Sequence, residues 1–177
     1  MTDLTYEYVS ACLAYNAETG ELRWKVRPRE HFKHLAGFVR FDRHLAGKRA
    51  GVLDTAKNYR RVKLAKRLLQ EHRVTWLLHY GEWPNLDIDH INRDRSDNRI
   101  CNLRLATSSQ NAHNTVLSSS NTSGYKGVSW ESQTKKWRAC LWFENTLMRL
   151  GRFSTPEEAY AVVSQKRNEL LGEFSTN

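Results

Sequence analysis

The sequence predicts an α+β protein. Three observations carry that prediction. Tyr59, Arg61 and Lys63 alternate with Arg60, Val62 and Leu64, the period of a half-buried strand. Residues 85–114 read as a strand, a polar loop, a second strand around Leu103-Arg104-Leu105, and a helix capped by Thr107, Ser108 or Ser109. Near the C-terminus three short aromatic-rich strands, near Gly127–Trp130, Lys136–Trp142 and Met148–Phe153, precede a helix that opens at Thr155-Pro156-Glu157-Glu158.

The remaining elements follow in order. Thr2 to Ala14 carries a weak helical pattern of Leu4, Val9 and Leu13, and Tyr15 to Trp24 reads as two strands around a turn closed by Gly20. Residues 27–50 are arginine-rich and poorly periodic, so a long loop or arm is expected there. A helix is expected from about Val74 to Tyr80, ended by Gly81 and Pro84. Small polar residues at 115–124 suggest a linker. In the last helix Ala159, Val162, Val163 and Leu170 form the face toward the sheet, with Trp137 and Phe153 as core and at least one of Trp130 and Trp142 joining them. The resulting organisation is an N-terminal basic α/β extension (1–58), a central strand–strand–helix unit (59–114), a linker (115–124) and a three-stranded sheet plus one helix (125–177).

Composition narrows the partners. The chain has 177 residues and a formal charge of +9, with sixteen Lys/Arg against six Asp/Glu in residues 20–83 alone. Such a field attracts a polyanion. Cys12, Cys101 and Cys140 are odd in number and form no C-x-x-C pair, which argues against a zinc ribbon or a disulfide scaffold. No apolar run reaches the ~18 residues of a membrane span, and the N-terminus lacks an export signal, so a cytoplasmic, non-membrane protein is expected.

Chemistry concentrates in one stretch. Asp89-His90 is followed after eleven residues by Asn102 and after eight more by Asn111. Phosphodiester hydrolysis needs an activated water and a counter-charge for the phosphate. An imidazole titrates near neutrality and accepts a water proton, while a carboxylate and an amide oxygen are hard donors suited to Mg2+. Side chains at neighbouring strand positions diverge, so Asp89 is expected to face a metal and His90 the attacking water. Asn102 is expected either to hold the loop or to fix the His90 ring.

Leu86-Asp87-Ile88-Asp89-His90-Ile91-Asn92, Asp97-Asn98-Arg99, Asn102-Leu103-Arg104 and Gln110-Asn111-Ala112-His113-Asn114 resemble the HNH homing endonucleases of phages. His72 to Trp76 and Tyr80 to Pro84 look like the lead-in of the same family. The resemblance implies a ββα-metal fold, His90 as general base, Asp89 and Asn111 as metal ligands, and Asn102 positioning the base. Asn at the last position resembles the HNN variant and implies one divalent ion, Mg2+ or Mn2+, rather than zinc. Gly124-Tyr125-Lys126-Gly127-Val128, Lys136-Trp137-Arg138-Ala139 and Leu150-Gly151-Arg152-Phe153 resemble the APETALA-two/ERF DNA-binding domain. That likeness implies Lys126, Trp130, Arg138, Trp142, Arg149 and Arg152 as duplex contacts. The plant domains usually carry Trp where Arg149 stands, so their sequence preference is not transferred.

The sequence therefore points to a monomeric, metal-dependent, site-specific endonuclease of homing type that nicks double-stranded DNA, working in a bacterial cytoplasm if phage-encoded. Arg60, Arg61, Lys63 and Arg104 are further expected phosphate contacts. Two rival readings remain open at this stage: a non-catalytic DNA-binding regulator, and an RNA- or ribosome-associated basic protein.

Overall fold

A computed structural model describes residues 3–115 and 117–174. Thr2 of the expected opening helix, Val116 of the expected linker and the last three residues of the C-terminal region lie outside the described residues. The chain divides into two compact units at Leu105–Ala106.

In the first unit, helix α1 (Tyr6–Cys12) starts at Thr5, whose hydroxyl accepts from the Tyr8 amide. It leads into the antiparallel pair β1 (Leu13–Asn16) and β2 (Glu21–Trp24). Asn16 closes the turn by accepting from the Glu18 and Thr19 amides. Gly20 follows at φ +73°, and a Cβ there would stand 2.6 Å from the Arg99 amide nitrogen. That close approach lets the hairpin grip the 97–100 segment: the Tyr15 hydroxyl donates to the Asn98 carbonyl at 2.8 Å, and the Ile100 amide donates to Ala17.

Residues 27–50 are ordered rather than a loop. A short 3-10 turn (Arg29–His31) and helix α2 (Leu35–His44) occupy the stretch. Its apolar content is aromatic: Phe32 packs on Phe38 and Phe41, Phe41 meets Trp24 edge-on, and the Arg27 guanidinium lies over both Phe32 and Phe41. Arginine here covers ring faces instead of opposing order.

Strands β3 (Val52–Asp54), β4 (Tyr59–Leu64) and β5 (Arg67–Gln70) form an antiparallel meander in that order. Helix α3 (Glu71–Tyr80) follows directly and stops at Gly81 in the left-handed region. Val9, Cys12, Leu13, Leu22, Ala50, Val62, Leu64, Val74 and Leu77 share one core, so residues before 59 are packed with those after it. Strands β6 (Asp87–His90) and β7 (Leu103–Ala106) then pair as a two-stranded sheet.

In the second unit, helix α4 (Ser108–His113) opens with a capping box between Thr107 and Gln110. Strands β8 (Val128–Glu131), β9 (Lys136–Phe143) and β10 (Thr146–Phe153) make an antiparallel sheet with β9 in the middle. Helix α5 (Pro156–Leu171) carries a second capping box, Thr155 with Glu158, and Pro156 in its first turn. Ala159, Val163, Arg167 and Leu171 are its buried positions, one every four residues. Val128, Ala139, Ala159 and Val163 form the core, with Trp137 and Phe153 packed against it. Trp130 and Trp142, one of which the sequence assigns to the core, are both exposed, at 48% and 61%. No described helix is long and apolar enough to cross a membrane.

Candidate functional site

Strand β6 ends in three consecutive buried residues, Ile88, Asp89 and His90. A strand presents alternate residues to opposite faces, so Asp89 and His90 look in different directions. Arg104, on the paired strand β7, meets Asp89: its Nε and Nη2 reach Oδ2 at 2.9 and 2.8 Å, and both side chains are largely buried.

His90 enters a different environment. Its ring packs edge-on against His72 of α3 at 5.2 Å between centroids, and Tyr59 of β4 lies beside both imidazoles. His90 Nε2 stands 3.2 Å from Asn98 Oδ1, and with the amide oxygen as acceptor the ring carries its proton on Nε2. Nδ1 then holds the basic lone pair. Asn98 is only 2% exposed, and the Tyr15 hydroxyl secures its backbone from the N-terminal hairpin. On its other side it approaches Glu71, a fully buried carboxylate that accepts from Arg60 Nε at 3.2 Å. Burial pushes the Glu71 carboxyl up, while Arg60, Arg49 and the Asn98 amide pull it down. Gly51 has no side chain because a Cβ there would run into the Glu71 carboxylate.

Asn102 acts on the loop. Its Oδ1 accepts from the Asn92 amide at 2.9 Å and its Nδ2 donates to the Asp97 carbonyl at 2.8 Å, so one side chain ties both ends of residues 92–97. Asp97 adds an ion pair with Arg99 and accepts from Asn92 Nδ2, and the Arg99 guanidinium holds its carboxyl down at about 2. Of the two roles expected for Asn102, the geometry has loop support; Asn98 is the residue that meets the His90 ring.

Desolvation lowers the pKa of His90, against opposing pulls from Asn98, Asp89, Asp94 and Asp97, so the ring is neutral at neutral pH. His72, more deeply enclosed, is pushed down to about 3 by burial, with the His90 and Arg73 charges adding to it. Its pKa is depressed relative to the unfolded chain, so the unfolded state takes up a proton that the fold refuses and stability falls as pH drops from about 6.5 toward about 3. His72→Leu should therefore lose about 2 kcal/mol less than the parent between about pH 7 and about pH 5. Urea midpoints at the two pH values check this, and parallel losses would refute it.

The other sequence candidates are distributed as follows. Arg60 turns inward to Glu71 and the Gly51 carbonyl, Arg61 pairs with Asp54 at 3.0 Å, and Lys63 is exposed. Asn111 lies on α4 of the second unit. On the three-stranded sheet Arg138 donates to Ser129 Oγ, Arg152 pairs with Glu131, and Arg149 is exposed. Lys126 precedes β8, with its ammonium shielded from solvent. Among the described residues no group of three or more His, Cys, Asp or Glu side chains could hold a metal ion. Asn98, Glu71, His72 and Tyr59 are the site residues that the sequence reading left without a role. Asn98 sits inside Asp97-Asn98-Arg99, a quoted motif, and that was the available signal.

The sequence model of the family described as HNH endonuclease matches residues 70–113, which span α3, β6, β7 and α4. Protein 3.8 of Escherichia phage T7 is 32% identical over 120 residues, covering 67% of this chain and 96% of that protein. An uncharacterized HNH endonuclease of Acanthamoeba polyphaga mimivirus is 30% identical over 109 residues, 60% of this chain and 56% of that protein. No solved structure matches. Because the match falls on the segment that carries the Asp89-His90 strand end and the Asn102 loop tie, and a relative above 30% identity is covered almost end to end, the chain belongs to the HNH endonuclease family.

Proposed function

We propose that the protein is a metal-dependent, site-specific DNA endonuclease of homing type that nicks one strand, with His90 as general base. The observation that carries this reading is the His90 ring: buried, with its pKa lowered by desolvation, and held by Asn98 Oδ1 at Nε2, an arrangement in which the Nε2–H tautomer leaves Nδ1 as the acceptor. Nδ1 takes the proton of the attacking water, and Nε2–H remains on Asn98, which fixes the ring as charge develops on it. Asn102 keeps the 92–97 loop closed beside the base.

The donor chemistry suits a single hard cation. Mg2+ and Mn2+ retain waters and accept phosphate oxygens, so one carboxylate and one amide oxygen suffice and a cluster of three protein ligands is not required. Asp89, at the end of β6, is the residue of the first unit that would hold it. When bound, the ion neutralises the scissile phosphate and the leaving oxygen. Supercoiled plasmid carrying the cognate site should convert to nicked circles on addition of Mg2+ or Mn2+ and stay supercoiled in EDTA. Persistence of the supercoiled form with bound cognate DNA would remove the enzymatic reading.

The exposed Trp142 and Arg149, with Arg138 and Arg152, give the second unit a cationic sheet face, while Trp130 packs on Trp137 on the other side; the three-stranded sheet with one helix supports the APETALA-two/ERF-type reading of a groove-binding module. The chain then binds duplex DNA as a monomer. With six or more phosphate contacts, affinity should drop by roughly 10³ between about 50 and about 200 mM salt, and Arg149→Ala should reduce the slope by about 1. Salt titrations of duplex binding for parent and variant check both numbers.

One observation favours the regulator. The Asp89 carboxylate is already engaged by Arg104, a cation that stands where a metal-free protein would need one. A regulator would bind duplex with the same affinity whether or not the divalent ion is present.

A further inference from the structure

The second unit contains a cavity of about 840 Å³ with a charge set into its wall. Arg167 of α5 lines it, although only 4% of that residue is exposed. Its Nη2 donates a long bond of 3.5 Å to the Lys126 carbonyl, and among the described residues its Nε and Nη1 have no hydrogen-bond partner. A guanidinium removed from water without an anion beside it is costly to keep, and five donors in a planar fork match an oxyanion.

The neighbourhood has the same sign. The Lys126 side chain also lines the cavity, with its ammonium shielded from solvent. His113 of α4 forms part of the wall, and after burial itself the Arg167 and Lys126 charges hold its pKa down, the effect of a positive field in that space. Among the described residues Glu144, in the β9–β10 turn, is the acid at the wall, and it is exposed. Ser109 adds a hydroxyl to the lining.

From this geometry we infer that the cavity is an anion site for a phosphate group, with Arg167 as its principal donor and Lys126 and His113 around it. The volume admits a phosphate together with an attached sugar and base. A phosphate of this class has two sources, the DNA backbone and a free nucleotide or inorganic phosphate. The site does not depend on the chain cutting DNA.

The test uses the full chain and Arg167→Met. Thermal melting is followed in chloride, in inorganic phosphate at matched ionic strength, and with dAMP, and duplex affinity is measured across a salt series. Phosphate or dAMP well above its Kd should raise the parent Tm by about 3 °C or more and leave the variant unmoved. In chloride the variant should melt no lower than the parent, because an uncompensated charge has been removed. A salt slope for duplex that falls by about 1 in the variant assigns the phosphate to the DNA backbone, whereas unchanged duplex binding with lost phosphate and dAMP stabilisation assigns it to a free ligand. Parent and variant responding alike in all three arms would overturn the inference. So would a variant that melts far lower in chloride, since Arg167 would then be structural; Arg167→Lys, which keeps the charge, distinguishes that outcome from loss of volume.

Discussion

His90→Ala should lower single-turnover nicking of cognate plasmid by about 10² to 10⁴, the range that a positioned general base contributes, while duplex affinity stays within about twofold. The reasoning is local. His90 is buried, neutral and held by Asn98, so the fold maintains one basic nitrogen at the end of β6 in the form that accepts a proton. Phosphate binding does not need that nitrogen, and affinity should therefore survive. Truncating a buried ring also leaves a gap against His72 and Tyr59, so His90→Gln, which fills more of the space, controls for lost packing. Both variants should be inactive, and both should melt as a folded protein. Nicking within tenfold of the parent in either would assign the proton to another group. Asn98→Ala provides a graded companion: the base is present but its ring is released, and the rate should fall by about tenfold, less than on removing the base itself.

These expectations rest on residues of unequal legibility. The strand–loop–strand–helix order of residues 85–114 was readable because its punctuation is local: a polar loop between two short apolar-bearing strands and an N-cap at Thr107, which forms a capping box with Gln110. The same holds for α5, whose Thr155-Pro156-Glu157-Glu158 start is a local device. Helix α2 was not readable as a helix, because its order comes from ring packing among Phe32, Phe38, Phe41 and Trp24 and from Arg27 lying over two of those rings, so the arginines that suggested a solvated arm include one that helps hold the segment. In the site, Asp89 and His90 were legible as adjacent chemistry of the right type. Asn98, His72 and Tyr59 reach His90 from the 92–97 loop end, α3 and β4, with Glu71 behind Asn98, and only tertiary packing joins them. Asn102 illustrates the limit of spacing: its distance from His90 along the chain suited either orienting the ring or tying the loop, and two backbone hydrogen bonds decide for the loop.

Asp89→Ala should destabilise the first unit by about 3 kcal/mol and abolish metal-stimulated nicking, two effects with different causes. The structural part comes from Arg104, whose Nε and Nη2 both reach the Asp89 carboxylate in a largely buried pair; removing the acid strips a desolvated cation of that partner. Arg104→Met should cost a similar amount for the mirror reason. The double variant Asp89→Ala with Arg104→Met should recover about 2 kcal/mol relative to the sum of the single changes, because neither charge is left behind. Activity should not recover with stability. If Asp89 served only to balance Arg104, the repaired double variant would nick as the parent does, and the assignment of Asp89 as a metal ligand would fall. Arg104→Met alone separates the enzyme from the regulator: with the competing cation gone, an enzyme should reach half-maximal nicking at a lower Mn2+ concentration, whereas a regulator should show no nicking at any concentration and no change in duplex affinity on adding the ion.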